Sequence, residues 1–372
     1  MARLAAEAAL AVLGLALVVC ALAANQQWLD RHFVPSFFLP RLWYVRLETA
    51  ARLLLAGVGG LLALVVRPRI GQLVVRGPAR AVSTAVAAML ALAASEAVLR
   101  RDHVRPAEWL IPDEEPRRQP DPLLGWTFVP SRVGHATVAG RGVDYAFDSS
   151  SYRVRRVDEP VDVERPTILF TGESVMFGEG LLWEESVPAQ VASMTGTQTA
   201  NLAVHGFGTD QAFLRLRSDL PRFRQPVAVV SIFMAALFGR NLDDDRPHLG
   251  PGLVWLPGPA APHWRLTSIA KLLVPYRADD TIERGIAVTR EVLRATVELS
   301  RSRGATPIIL VPQFGKEEDA ERAIRRQVLD EPGIPYLWVV IDSAWRLPWD
   351  RHPNAQAART IAAAVSARLR GH

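Results

Sequence analysis

From residue 166 to the end of the chain, short apolar runs alternate with longer amphipathic stretches, and few folds accept that rhythm. The runs at 167–170, 199–204, 227–234, 307–311 and 336–341 have strand length. The stretches at 186–194, 210–220, 282–302, 317–329 and 354–370 repeat apolar residues at helical spacing, the last with Ile361, Val365 and Leu369 on one face. Strands that alternate with helices of this size form a parallel sheet covered by helices on both faces. The pattern predicts an α/β domain over 161–372, with any site outside the carboxyl ends of its strands.

The first third of the chain has another character. Residues up to about 105 carry twelve arginines against five acidic residues, so the excess of positive charge lies there and the remainder is slightly acidic. Basic residues confined to apolar surroundings argue against a nucleic-acid partner, which would want them on a folded domain interleaved with aromatics. The runs 8–24, 50–66 and 81–99 are about long enough to cross the ~30 Å hydrocarbon layer as helices. Arg52 and Glu96 stand close enough to run ends to reach an interface. The loop between the last two runs holds Arg67, Arg69, Arg76 and Arg80 with no acidic residue, which the positive-inside rule places in the cytoplasm. The chain after Arg105 is then expected outside the cytoplasm, anchored in the cytoplasmic membrane. Ala21-Leu22-Ala23 also permits a cleaved signal peptide, which leaves the later domain on the same side.

Cys20 is the single cysteine, which excludes an intramolecular disulfide or a multi-cysteine metal site. Leu17-Val18-Val19-Cys20 is similar to a lipoprotein cleavage box with too bulky a residue at Val19; the alternative is a buried helix thiol. Between the membrane region at 1–102 and the α/β domain, residues 103–160 read as a Pro- and charge-rich linker to about residue 122, then a small β-rich lead-in with strands at 127–129 and 143–147.

The strand at 167–170 empties into Gly172-Glu173-Ser174, which sets a hydroxyl at the carboxyl edge of the sheet. Asp350 and His352 follow the last strand, two positions apart in an extended loop, so they can point to the same side. A serine is a weak nucleophile until a base takes its proton, and the base works best when a third group orients its imidazole. Of the other histidines, only His205 falls near the same crevice. An ordinary α/β-hydrolase fits poorly, because Met176 stands where Gly-x-Ser-x-Gly needs glycine. No phosphate-binding loop or dinucleotide fingerprint appears, and no cofactor is expected. The run Asp243-Asp244-Asp245 reads as a solvated loop, since three successive carboxylates do not readily share one ion.

Three blocks together resemble the SGNH (GDSL-like) hydrolases over residues 120–372: Gly172-Glu173-Ser174-Val175-Met176-Phe177-Gly178, the stretch from Asn201 to Gln211, and Asp350-Arg351-His352-Pro353-Asn354. The resemblance implies a flavodoxin-like three-layer fold and ester hydrolysis or acyl transfer, with Ser174 as nucleophile, His352 as base and Asp350 as its orienting carboxylate. It implies an oxyanion hole from the backbone N–H of Ser174, that of a block-two glycine, and an asparagine amide. Gly206 fits the glycine by spacing and Gly208 is second. The asparagine is displaced: Ala236-Leu237-Phe238 occupy its usual place, and Asn241 is the nearest amide. Glu173 stands for the commoner aspartate, a residue outside the reacting set, and the final block has Asp-x-His rather than Asp-x-x-His.

The expected activity is that of a membrane-anchored, externally facing serine esterase acting on a small acyl ester or acylated glycan. An acyltransferase on envelope glycans, or an envelope binding protein with a degraded site, are the alternatives.

Overall fold

The computed structural model describes residues 2–34, 37–101, 114–258, 264, 266 and 274–371. They fall into two compact units, one of residues 1–35, 39–107 and 262–276, the other of 36–38, 108–261 and 277–372. The expected boundary at 102–103 and most of the linker lie outside the described residues.

The first unit is helical: α1 (Ala2–Ala23), α2 (Gln26–Phe33), α3 (Arg41–Leu61), α4 (Arg67–Arg76) and α5 (Pro78–Arg101). Three stretches are long and apolar enough to cross a membrane, Arg3–Ala23, Arg41–Ile70 and Val82–Arg100. Their apolar side chains point outward, with Leu64 79% exposed, as suits a surface solvated by lipid. Helices α1 and α3 cross where Gly14 meets Gly59. A Cβ on either glycine would lie 2.6 Å from the other's carbonyl oxygen, so the crossing depends on both.

Two expectations change in this unit, the loop at 67–80 and the buried Cys20. Residues 67–80 are almost wholly helical instead of forming a loop. Pro68 cannot donate to the helical ladder, and the five residues Leu62–Val66 open into a π turn, with the Arg67 N–H reaching back to the Leu62 carbonyl. Near the end of α1, Arg52 Nε donates to the Ala21 carbonyl at 2.9 Å. Glu96 is buried and paired with Arg100 at 2.8 Å. Cys20 is exposed on α1 rather than buried.

The second unit is built on an eight-stranded sheet. Its strands are β3 (Arg132–Val138), β4 (Arg141–Phe147), β5 (Arg153–Val154), β6 (Thr167–Thr171), β7 (Gln198–Asn201), β8 (Pro226–Ile232), β11 (Thr306–Phe314) and β12 (Leu337–Ile341), in the order β12-β11-β8-β6-β7-β5-β4-β3. The first five are parallel and the last three antiparallel. Two hairpins stand apart, β1 (Arg118–Asp121) with β2 (Gly125–Phe128), and β9 (His248–Leu249) with β10 (Trp255–Leu256).

Central β6 is buried along its whole length, which explains why its sequence is a run rather than an alternation. Read from β6, the parallel strands follow the 2-1-3-4-5 order of flavodoxin-like sheets. The chain steps from β6 one way to β7 and then back across to β8. Right-handed crossovers in opposite directions place their helices on opposite faces. Accordingly α7 (Val187–Thr195) packs with the closing helix α11 (Ala355–Arg370), and α8 (Thr209–Asp219) with α9 (Asp279–Ser302). The remaining helices are α6 (Ser174–Phe177) and α10 (Asp319–Arg325).

The lead-in differs from expectation. Its strands β3 to β5 do not stand alone but extend the main sheet, with Arg153 pairing Asn201 at the edge of β7. An open edge on β7 would otherwise expose unpaired backbone groups. Pairing also starts earlier than expected, at Arg118.

Candidate active site

The switch point of the sheet lies between β6 and β8, since the chain leaves β6 toward β7 and leaves β8 in the opposite direction toward β11. Gly172 turns the chain there with φ +153°, and a Cβ on it would meet Ile232 Cγ2 at 2.3 Å. Only glycine lets the strand end this close to β8. Glu173 then caps α6, its carboxylate accepting the Val175 N–H at 3.0 Å. Ser174 opens that helix and is fully buried.

A buried arginine holds the other end of α6. Arg153 donates to the carbonyls of Phe177 and Gly178, both at 2.8 Å, and to Leu181 at 2.5 Å. Its guanidinium lies over the rings of Tyr145 and Phe177, 4.7 and 4.9 Å from their centres. Burial pushes its pKa down to about 10, so it remains a cation at neutral pH, the sign that a helix carboxyl end favours.

Asp350 and His352 come from the loop between β12 and α11. Leu347 N–H donates to the His352 carbonyl at 2.7 Å and Arg351 N–H to the Leu347 carbonyl at 3.0 Å, with Trp349 and Arg351 at positive φ. This tight loop directs Asp350 and His352 to one side. His352 Nδ1 lies 2.5 Å from Asp350 Oδ1, and His352 Nε2 lies 2.9 Å from Ser174 Oγ. Burial alone would raise the Asp350 carboxyl, but the hydrogen bonds and charge of His352 hold it below its usual range. An ionised Asp350 accepts only, so Nδ1 carries the hydrogen and Nε2 of the neutral ring faces the hydroxyl as a base. The Phe38 ring, which belongs to this unit, lies 4.7 Å from that of His352.

The block-two segment is laced to the same edge. Leu202 N–H donates to the Phe170 carbonyl at 2.8 Å and Val204 N–H to the Gly172 carbonyl at 3.1 Å. Asn201 Nδ2 donates to the Phe177 carbonyl at 3.2 Å. Gly206 follows at φ +83°, its carbonyl bound by Arg246 Nη1 at 3.1 Å. The N–H groups of Ser174 and Gly206 bond to no described residue. The Gly208 N–H, by contrast, is taken by Gln211 Oε1 at 3.1 Å.

Asn241 is not brought to Ser174. Its Oδ1 accepts the Thr209 N–H at 2.9 Å, and its Nδ2 donates to Thr209 Oγ1 at 2.9 Å and Thr289 Oγ1 at 3.0 Å. Its neighbour Arg240 comes closer, with Nη1 3.3 Å from Glu173 Oε2. Burial lowers the pKa of Arg240 while Glu173 opposes that shift. Glu173 is itself nearer the chemistry than its sequence position suggests, because Oε2 lies 2.8 Å from Ser174 Oγ. The three aspartates at 243–245 bring carboxylate oxygens within 4.8 Å of one another, with Arg246 Nε 4.0 Å from Asp243.

No protein-family model matches the sequence, and no curated protein matches it. Solved structures similar to the chain include a G-D-S-L family protein from Desulfitobacterium hafniense DCB-2, at 13% identity and TM-score 0.36, covering 55% of this chain and 98% of that one. A GDSL-like lipase from Bacteroides thetaiotaomicron is 15% identical at TM-score 0.32, over 57% of this chain and 91% of that one. An acetyl xylan esterase from Butyrivibrio proteoclasticus is 11% identical at TM-score 0.35, over 57% and 66%.

Sequence reasoning missed Arg153, Arg246 and Glu179, whose Oε2 lies 2.8 Å from His205 Nδ1, as parts of this site. Glu179 left a trace, as the one charge in an otherwise apolar and glycine stretch, 175–182. The arginines left none, since nothing near them in the chain marks what they will contact.

Proposed function

We propose that this protein is a membrane-anchored serine esterase whose second unit lies outside the cytoplasm and which works through an acyl-enzyme on Ser174. The observation that carries the reading is the line Asp350–His352–Ser174, with contacts of 2.5 and 2.9 Å at the carboxyl end of β6. Ser174 Oγ attacks the ester carbonyl carbon as its proton passes to His352 Nε2. The developing oxyanion is met by the N–H groups of Ser174 and Gly206. The carbon–oxygen bond to the alcohol then breaks, and His352 returns the proton to the departing oxygen. Water, deprotonated by the same nitrogen, releases the acid and frees the serine.

A fluorophosphonate probe tests the chemistry on the full chain in detergent. Labelling at Ser174 that disappears in Ser174→Ala is the expected result. Folded parent protein that takes no label would sink the esterase reading and favour a binding protein, a role for which the engagement of Asn241 with Thr209 and Thr289 is the best support. If a sugar hydroxyl replaces water in the second step, the site becomes an acyltransferase on envelope glycans, and product analysis with added glycan acceptor separates the two.

The orientation rests on the basic residues between the second and third apolar stretches. A reporter enzyme that works only outside the cytoplasm, fused after His372, is expected to be active; a silent but intact fusion reverses the topology.

A further inference from the structure

The β1–β2 hairpin lies outside the α/β alternation, yet it is tied to the segment that carries Gly206. Gln211 Nε2 donates to the Leu124 carbonyl at 2.6 Å, and the same side chain takes the Gly208 N–H on its Oε1. Trp126, 3% exposed, sets its ring edge-on to Phe207 with centres 5.7 Å apart, and its Nε1 donates to the His205 carbonyl at 3.0 Å. That carbonyl belongs to the same peptide as the Gly206 N–H. The two point to opposite sides of a planar trans unit, so whatever fixes one aims the other.

This peptide is a place where the chain can turn over. The Phe207 N–H donates to the Val204 carbonyl at 3.3 Å, which closes a four-residue turn with His205 and Gly206 in its middle. Gly206 is at φ +83° while His205 is not at positive φ, which makes the turn type II. Type I differs from it by rotation of the middle peptide alone, about 150° in the first central ψ and about 170° in the second central φ. The ends of the turn are held here. Val204 N–H donates to the Gly172 carbonyl at 3.1 Å, and the Gly206 carbonyl accepts Arg246 Nη1 at 3.1 Å. Turning the middle peptide over would aim the Gly206 N–H toward Trp126 and the His205 carbonyl the other way.

We propose that Trp126 is a positioning residue for the oxyanion hole: its indole N–H holds the His205–Gly206 peptide in the orientation that offers the Gly206 N–H to the substrate oxygen. The inference rests on the esterase reading. The indole takes no part in making or breaking bonds. Without it the His205 carbonyl loses a donor, and turning over relieves that loss by placing a carbonyl dipole where a negative oxygen has to form. Packing against Phe207 alone would give Trp126 a role in stability and none in stabilising that oxygen.

The experiment uses the full chain in detergent, with p-nitrophenyl acetate as substrate and a trifluoromethyl ketone as a probe of the hole. Ser174 Oγ adds to the ketone carbon, its proton passes to His352 Nε2, and the ketone oxygen becomes an oxyanion. Trp126→Phe keeps an aromatic ring beside Phe207 and removes the N–H, and Trp126→Tyr is a second variant of the same kind. The bias of one hydrogen bond corresponds to about tenfold. The variants are expected to lower kcat by about that factor with KM within about twofold, and to weaken the ketone to the same extent. The acid limb of the kcat/KM profile, set by His352, should stay in place, which a displaced relay would not allow. Folded variants with parental kcat and ketone affinity overturn the inference. So does a loss of activity that moves the acid limb, or a failure of both variants to fold, which would make Trp126 a core residue only. A parent that neither hydrolyses esters nor takes the fluorophosphonate label removes the esterase reading and this inference with it.

Discussion

The two flanks of Ser174 are built in different ways. On one flank the base and its carboxylate come from a single loop, two residues apart, and that loop is closed by its own backbone hydrogen bonds. On the other, residues 235–246 bring Arg240 against Glu173 and turn Asn241 toward Thr209 and Thr289, which lie on two helices. A relay set by local chain geometry needs little from the rest of the fold. An arrangement spread over α8, α9 and the segment after β8 depends on all of them, and it can trade an amide for a cation without a local trace.

The second flank also reaches the proposed nucleophile. Ser174 has one hydroxyl proton and two acceptors within reach, His352 Nε2 at 2.9 Å and Glu173 Oε2 at 2.8 Å. Only a proton directed to His352 is productive. Arg240, 3.3 Å from the same Glu173 oxygen, draws on its negative charge and weakens the competing acceptor. Arg240→Gln is expected to slow fluorophosphonate labelling about a hundredfold, the scale of a lost charge-assisted hydrogen bond in a buried site. Adding Glu173→Gln should recover at least about tenfold, because the neutral amide still caps Val175 but no longer holds the proton as strongly. Labelling rates on folded protein measure this, and effects that simply multiply would show that the two side chains do not act on each other.

The difference between the flanks also explains what could be read from the sequence. The α/β alternation, the order of elements and the positions of Ser174, Asp350 and His352 depend on periodicity and short spacing, which one chain displays directly. Strands β3 and β5 were missed because β3 is mostly polar on its outer face and β5 has two residues, and both gain their place by covering the edge of β7. Arg153 is a strand residue in sequence and a helix cap in space, joined to Phe177 across 24 positions. In the sequence Glu173 reads as a non-reacting substitute for aspartate, and its contact with the Ser174 hydroxyl follows from the turn at Gly172. The stretch around Pro68 reads as a loop, although a π turn just before it lets the helix continue through the proline.

That the Gly208 N–H is taken by Gln211, which supports Gly206 as the proposed donor, is also a contact that the sequence does not display.

Asn241→Ala gives the smallest effect on chemistry and discriminates most directly between the flanks. If its amide were an oxyanion donor, its loss would cost roughly 10²–10³ in turnover. The geometry instead assigns its three hydrogen bonds to Thr209 and Thr289, with Oδ1 capping an N–H of the first turn of α8. Removing it leaves that N–H and two hydroxyls to find other partners, at about 1–3 kcal/mol. The expected outcome is a lower melting temperature for the variant, with kcat per folded molecule within about threefold of the parent, since no reacting atom changes its hydrogen bonds. A large fall in kcat without loss of stability would mean that the segment moves on binding substrate and delivers the amide after all, and the two flanks would then be far more alike than their resting geometry.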